Sequence, residues 1–186
     1  MEISANLYAD LERVLITREE IAASVRRLGK QITQDYAGSA PVVVCVLKGA
    51  ALFYSDLIRE IDLPITTDFM SASSYGSGTS PEHDVRIRKD LDQSVAGRDV
   101  ILVEDIVDTG NTLHFLKGYL AGKGANSVKI ATLLDKPARR KVDLRADYYC
   151  FTIPNAFVVG YGLDYDEKYR NLPDIGLLSP HIYENK

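Results

Sequence analysis

The chain has 186 residues, a length that favours one domain, and its 22 basic against 26 acidic residues leave a net charge of −4. At 46% hydrophobic and 26% charged it has the composition of an ordinary globular protein, not a disordered one. The mild acidity argues against a chain built to coat nucleic acid or an anionic membrane surface.

The opening stretch, MEISANLYADLERVL, has neither a basic start nor a continuous apolar run, so it does not read as a secretory signal. Thr17 and Glu20 then form a T-x-x-E capping box, and Ile21, Val25, Leu28 and Ile32 fall on one helical face. Ala37-Gly38 is the expected end of that helix. Val42 to Leu47 is apolar throughout and rich in β-branched residues, as a strand buried on both faces of a parallel sheet should be. It is far shorter than the about 20 residues of a membrane span. After Lys48-Gly49, a second helical pattern carries Leu52, Phe53, Leu57, Ile58 and Ile61 on its inner side.

A strand is expected near Ile65 to Ala72, a polar loop from Ser73 to Asp84, and a short run from Val85 to Leu91. Val100 to Val103 reads as the next strand, followed by a helix through Leu113, Leu116 and Leu120 and a strand from Val128 to Leu134. A basic turn, Lys136 to Lys141, precedes two closing strand-like runs, Tyr148 to Ile153 and Phe157 to Tyr161. Strands alternating with helices predict an α/β domain with a mainly parallel sheet flanked by helices. Cys45 and Cys150 sit in separate apolar runs and read as buried, reduced thiols of a cytoplasmic protein.

Ligands of such sheets gather at the carboxyl ends of the strands, so the loops there carry the chemistry. The most specific of them lies in VILVEDIVDTGNTL, Val100 to Leu113. A strand runs into Glu104 and Asp105, then Asp108, and Thr109-Gly110-Asn111-Thr112 opens a helix. Free backbone N–H groups and hydroxyls at a helix N-terminus cradle anions. Adjacent carboxylates hold sugar hydroxyls or a water-rich magnesium ion. Together they describe a ribose-phosphate site.

This string resembles the signature of the type I phosphoribosyltransferases, which bind phosphoribosyl pyrophosphate (PRPP). VVCVLKG (Val43 to Gly49), Ser74-Tyr75, Lys136 and FVVGYGLDYDEKYRNLP (Phe157 to Pro173) resemble the hypoxanthine-guanine branch of that family, from about residue 8 to 183. The resemblance implies a core at about 38–135 with a small hood from about 1–16 and 136–186. It also implies that Asp108, Thr109, Gly110, Asn111 and Thr112 cradle the 5′-phosphate, while Glu104 and Asp105 face the ribose hydroxyls directly or through magnesium. Lys48, Gly49, Ser74, Tyr75 and Arg170 would line the pyrophosphate, with a cis peptide between Leu47 and Lys48. Phe157 would stack on the base, Val158 would bind it through its main chain, and Lys136 would donate to the exocyclic oxygen of a 6-oxopurine. Asp164 would help hold a second magnesium near the base and the pyrophosphate. Relatives in the family are commonly dimers or tetramers.

Out of this context each feature has a plainer explanation. Lys136 in a basic turn is usually a solvated charge, Phe157 in FVVGY a core residue, and Asp164 with Arg170 a surface ion pair. Their occurrence together, in family order, favours the enzyme. Ala156 departs from the family, where lysine is common, and His83, His114 and His181 read as structural or surface residues. The implied reaction is displacement at C1′ of PRPP by a purine, with Asp108 as general base and the Ser74-Tyr75 loop closing over the site. Two other readings are a xanthine-preferring enzyme and a PRPP-sensing regulator that binds nucleic acid. The regulator needs a basic face or an added helix-turn-helix, which the charge of −4 and the lack of spare length disfavour.

Overall fold

A computed structural model describes residues 6–74 and 85–184, apart from the side chain of Ser74. At the centre of its main sheet lie β2 (Val42–Leu47) and β5 (Asp99–Val107), flanked by β3 (Thr66–Ser74) and β6 (Ser127–Asp135). The edges are β4 (Val85–Lys89) and β7 (Tyr148–Thr152), giving the order β4-β3-β2-β5-β6-β7. Every neighbouring pair is parallel except β3 with β4.

The unbroken apolar run of β2 is explained by what covers it. Val43 and Cys45 enter one core with α1 (Arg18–Asp35) and α2 (Ala51–Arg59), while Val42, Val44 and Val46 enter another with α3 (Asn111–Gly122). Successive strand side chains point to opposite faces, so a sheet covered on both sides needs apolar residues at every position. Burying a Val, Ile or Leu in this way is worth about 1.5–3 kcal/mol each.

The capping box of α1 is formed: the Glu20 amide donates to Thr17 Oγ1, and the Thr17 amide donates to Glu20 Oε2 at 2.8 Å. Ile21, Val25, Leu28 and Ile32 are all buried, and the helix ends three residues before Gly38, whose φ is +79°. Of the residues expected to face inward from α2, Phe53 and Leu57 are buried in the helix and Ile61 just beyond it, Tyr54 joins them, and Leu52 is 42% exposed.

A second, antiparallel sheet joins β1 (Leu11–Ile16), β9 (Ile175–Leu178) and β8 (Val158–Val159), in the order β1-β9-β8. The strand expected over Phe157 to Tyr161 narrows to two residues, because the backbone turns away at Gly160, φ +103°. One face of this sheet, with Val158 and Ile175, packs on the core under the main sheet. The other carries Val159, Leu172 and Leu178 in a cluster of its own. The hood expected from 136 onwards does not take all of that segment, since β7 pairs with β6 in the main sheet.

Candidate active site

The site lies where β2, β5 and β6 end. Sequence reading stopped β5 at Val103; its ladder with β6 continues through Glu104↔Thr132 and Ile106↔Leu134 to Val107↔Asp135. Glu104 and Asp105 are therefore strand residues, not loop residues, and inherit the rigidity of the sheet. Burial raises the pKa of both, for Glu104 well above its ordinary value, and for Glu104 the charge of Asp105 raises it further. For Asp105 the charge of Arg170 opposes the rise.

Beyond β5 the chain forms a hollow of about 180 Å³ lined by Glu104 to Gly110, Thr112 and Leu113. Gly110 takes φ +86° and starts α3, and no side chain caps the helix. The first N–H groups of a helix have no intrahelical partner, so this end presents donors and a positive dipole. The loop is held from behind: Lys141 N donates to Thr109 O at 2.9 Å, and Arg140 packs against Gly110 while pairing with Asp135. Arg139 Nε lies 3.0 Å from Asp108 Oδ1.

Lys136 follows β6, its amide donating to Val107 O at 2.9 Å. Its side chain is only 6% exposed. Burial lowers its pKa, an effect opposed by the charge of Asp108 and reinforced by Arg139. The solvated-charge explanation thus fails for this residue.

Across the hollow, Gly49 touches Asp105 so closely that a Cβ on Gly49 would stand 1.6 Å from Asp105 Oδ2. A Cβ on Gly162 would stand 2.0 Å from Gly49 O. The backbone just after β2 is therefore packed on Asp105, and that of Gly162 on Gly49, with no room for a side chain at either. The Leu47–Lys48 peptide is cis, as the resemblance implied. Lys48 Nζ reaches Glu167 Oε2 at 3.0 Å, and Arg170 bonds Gly162 O at 2.7 Å and Asp164 Oδ1 at 2.8 Å. Asp164 Oδ2 accepts the Glu167 amide at 2.9 Å, so both of its oxygens are engaged. Tyr161, Asp166, Glu167 and Tyr169 all have φ between +47° and +72°, a conformation costing side-chain-bearing residues about 1–2 kcal/mol. Such a concentration is a mark of functional loops.

Phe157 leads into β8 and is 40% exposed, which separates it from the core residue it would otherwise be taken for. Val158 buries its side chain and pairs with Leu177. Ser74 ends β3 opposite Val85, while Tyr75 and the rest of the segment to Asp84 lie outside the described residues. Sequence reading missed Arg139, Arg140 and Gly162. The first two looked like solvated charges of a basic turn, and only the tertiary fold shows Gly162 against Gly49.

An α/β sheet that ends in paired acids, a helix start with free backbone donors and a buried lysine is the framework of a phosphoribosyltransferase. The family model of the phosphoribosyl transferase domain matches residues 15–166. The chain is 53% identical over 177 residues to the hypoxanthine-guanine phosphoribosyltransferase of Streptococcus thermophilus, covering 95% of this chain and 98% of that one. It is 52% identical over 176 residues to the enzyme of the same name from Bacillus subtilis, covering 95% and 98%. It also superposes on a crystal structure of a hypoxanthine phosphoribosyltransferase from Staphylococcus aureus, with a TM-score of 0.93 at 49% identity over 98% of this chain and 99% of that one. The chain belongs to the hypoxanthine-guanine phosphoribosyltransferase family.

Proposed function

We propose that this enzyme transfers the 5-phosphoribosyl group of PRPP to N9 of hypoxanthine and guanine, releasing pyrophosphate and salvaging the purine as its nucleotide. The observation that carries this reading is the burial of Lys136 beside the charge of Asp108. An ammonium donates and never accepts, so a buried one matches the 6-oxo group of these bases and mismatches the amino group of adenine.

The residues divide the work by chemistry. The turn from Asp108 to Thr112 holds the 5′-phosphate with backbone N–H groups and hydroxyls. Lys48, Gly49 and Arg170 face the pyrophosphate, where the planar guanidinium of Arg170 offers a two-pronged grip. Ser74 and Tyr75 are assigned to the same end by resemblance alone. Phe157 stacks on the base, and the main chain of Val158 and Asp164 reads its edge.

In the reaction the N9–C1′ bond forms as the C1′–oxygen bond to pyrophosphate breaks, and the bonding electrons leave with pyrophosphate. Positive charge builds on the ribose at that moment, as in glycoside chemistry. Asp108 takes the proton from N7 of the base.

Magnesium fits the donor set. Glu104 and Asp105 are hard oxygen ligands in need of positive charge. Among the described residues no cluster of three or more potential ligands forms a protein-only cage. Two carboxylates leave the other positions of a six-coordinate ion to water and substrate oxygens. Bound there, magnesium would neutralise charge on the departing pyrophosphate. Asp164 would join a second ion only after parting from Arg170.

No helix among the described residues is long and apolar enough to cross a membrane. Cys45 and Cys150 are free and buried, with burial pushing their thiols up to about 12 and about 11. A reducing, cytoplasmic setting is the one proposed for them. A homo-oligomer, dimer or tetramer, is the assembly expected. The test is nucleotide formation from PRPP and magnesium with hypoxanthine, guanine, xanthine or adenine as acceptor. Turnover of the first two and none of adenine is expected. Xanthine alone would move the specificity, and PRPP binding with no turnover of any base would overturn the enzyme reading.

A further inference from the structure

Phe157 has a neighbour to which the reading above gives no task. Its ring lies 5.0 Å from that of Tyr183, centroid to centroid, with 21° between their planes. Tyr165 meets Phe157 edge-on at 5.6 Å and 86°, and meets Tyr183 at 6.5 Å and 66°. Stacking by Tyr183 covers one face of the Phe157 ring, while Phe157 as a whole stays 40% exposed.

Tyr183 is held in place by the backbone around it. Leu178 N donates to Phe157 O at 3.0 Å, which ties the end of β9 to the start of β8. Ser179 N donates to Asp10 O at 3.0 Å, and Pro180 then opens a single helical turn, α4 (Pro180–Tyr183). Tyr183, Ile182 and Tyr165 pack with Val159, Tyr169, Leu172 and Leu178 on the outer face of the three-stranded sheet. The opposite face carries Val158, Ile175 and Leu163 into the main core. Tyr183 therefore reaches Phe157 from the outer side.

We propose that Tyr183 is a positioning residue for the purine: its ring backs Phe157 and fixes the plane on which the base stacks. This rests on the assignment of Phe157 as the stacking platform. An exposed phenylalanine without support turns freely about its side-chain bonds and must be ordered when a ligand arrives. Held between Tyr183 and the edge of Tyr165, the ring is ordered beforehand, so binding of the base does not bear that cost. The contact uses the ring of Tyr183, not its hydroxyl.

The test is steady-state kinetics of the full-length enzyme, with hypoxanthine and PRPP varied separately. It uses Tyr183→Ala, Tyr183→Phe, Phe157→Ala and the double variant Phe157→Ala/Tyr183→Ala. Tyr183→Ala should raise KM for hypoxanthine about three- to tenfold, with KM for PRPP and kcat held within about twofold. Tyr183→Phe should match the unmodified enzyme, and Tyr183→Ala should add nothing once Phe157 is alanine. Should Tyr183→Ala lose its fold, Tyr183→Leu keeps apolar volume without the flat ring and carries the same expectation. An unchanged KM for the base overturns the proposal. So does a lowered one, which would mean that Tyr183 occupies the place of the base. An equal rise in both KM values together with a lower Tm makes the role merely structural and overturns it too. If Phe157→Ala itself leaves KM for hypoxanthine unchanged, the platform assignment has failed. If Phe157→Ala raises it and Tyr183→Ala does not, the positioning role alone falls.

Discussion

Arg139 Nε stands 3.0 Å from Asp108 Oδ1, yet that buried oxygen accepts no hydrogen bond from any described residue. The guanidinium supplies charge without pointing a donor along the lone pair. For a residue proposed to take a proton this arrangement is useful, because the lone pair stays available. Asp108→Asn keeps the shape and loses the base, and should lower kcat by about 100-fold or more while KM for PRPP changes little. Arg139→Ala removes a half-exposed pair worth at most about 1 kcal/mol and should lower kcat less than about tenfold. Equal losses in the two variants would remove the base assignment.

Lys136 carries the choice of base. Losing a hydrogen bond from a charged donor costs about 1.5–3 kcal/mol, so Lys136→Met should lower kcat/KM for hypoxanthine and guanine by about 10- to 150-fold. KM for PRPP should hold, and Lys136→Met should narrow the gap between hypoxanthine and adenine. Competition assays with the two bases read this directly. An unchanged ratio would place the reader of the 6-position elsewhere.

Much of this arrangement could be read from the residues, and the failures have physical causes. β2 was legible to the residue because burial on both faces makes every position apolar. β5 was cut short because Glu104 and Asp105 look like loop residues, whereas backbone pairing with β6 is indifferent to side-chain polarity. The turn into α3 was legible from Gly110 and its hydroxyl-bearing neighbours. Arg139 was not, because a basic turn gives no sign of which charge faces Asp108. The tail from Leu177 onwards also concealed its part. Its pairing with β1 and the stack of Tyr183 on Phe157 join residues far apart in sequence, and no local pattern marks them.

The raised carboxyls of Glu104 and Asp105 set a pH dependence of stability. Between their ordinary values, 4.5 and 3.8, and the raised ones, the unfolded chain has released protons that the folded chain still holds. Stability therefore falls as pH rises through that window, and the contribution is fully present only below it. Glu104→Gln removes one charge of the pair. It should melt about 2–4 °C higher than the unmodified enzyme at pH 7 and lose that lead near pH 4. Added magnesium should raise Tm of the unmodified enzyme more than that of Glu104→Gln. Thermal melts at several pH values, with and without magnesium, test both expectations. A lower Tm for Glu104→Gln at pH 7 would mean that the acids stabilise the fold.

Gly49 and Gly118 make a paired test of whether close approach at the site, and not glycine as such, matters. A Cβ at Gly49 would fall 1.6 Å from Asp105 Oδ2, so either the loop after β2 or the acid must move. Displacements of about 1 Å at a reacting centre cost on the order of 100-fold in rate, and Gly49→Ala should lose at least that much kcat/KM. Gly118 lies inside α3, where an added Cβ would meet nothing within 4 Å. There alanine removes backbone entropy from the unfolded chain and favours the helix by about 0.5–1 kcal/mol. Gly118→Ala should raise Tm by about 1–4 °C with unchanged kinetics. Full activity in Gly49→Ala would show that the contact between the β2 loop and Asp105 is not needed for turnover, and the close stacking at the site would then be a matter of stability alone.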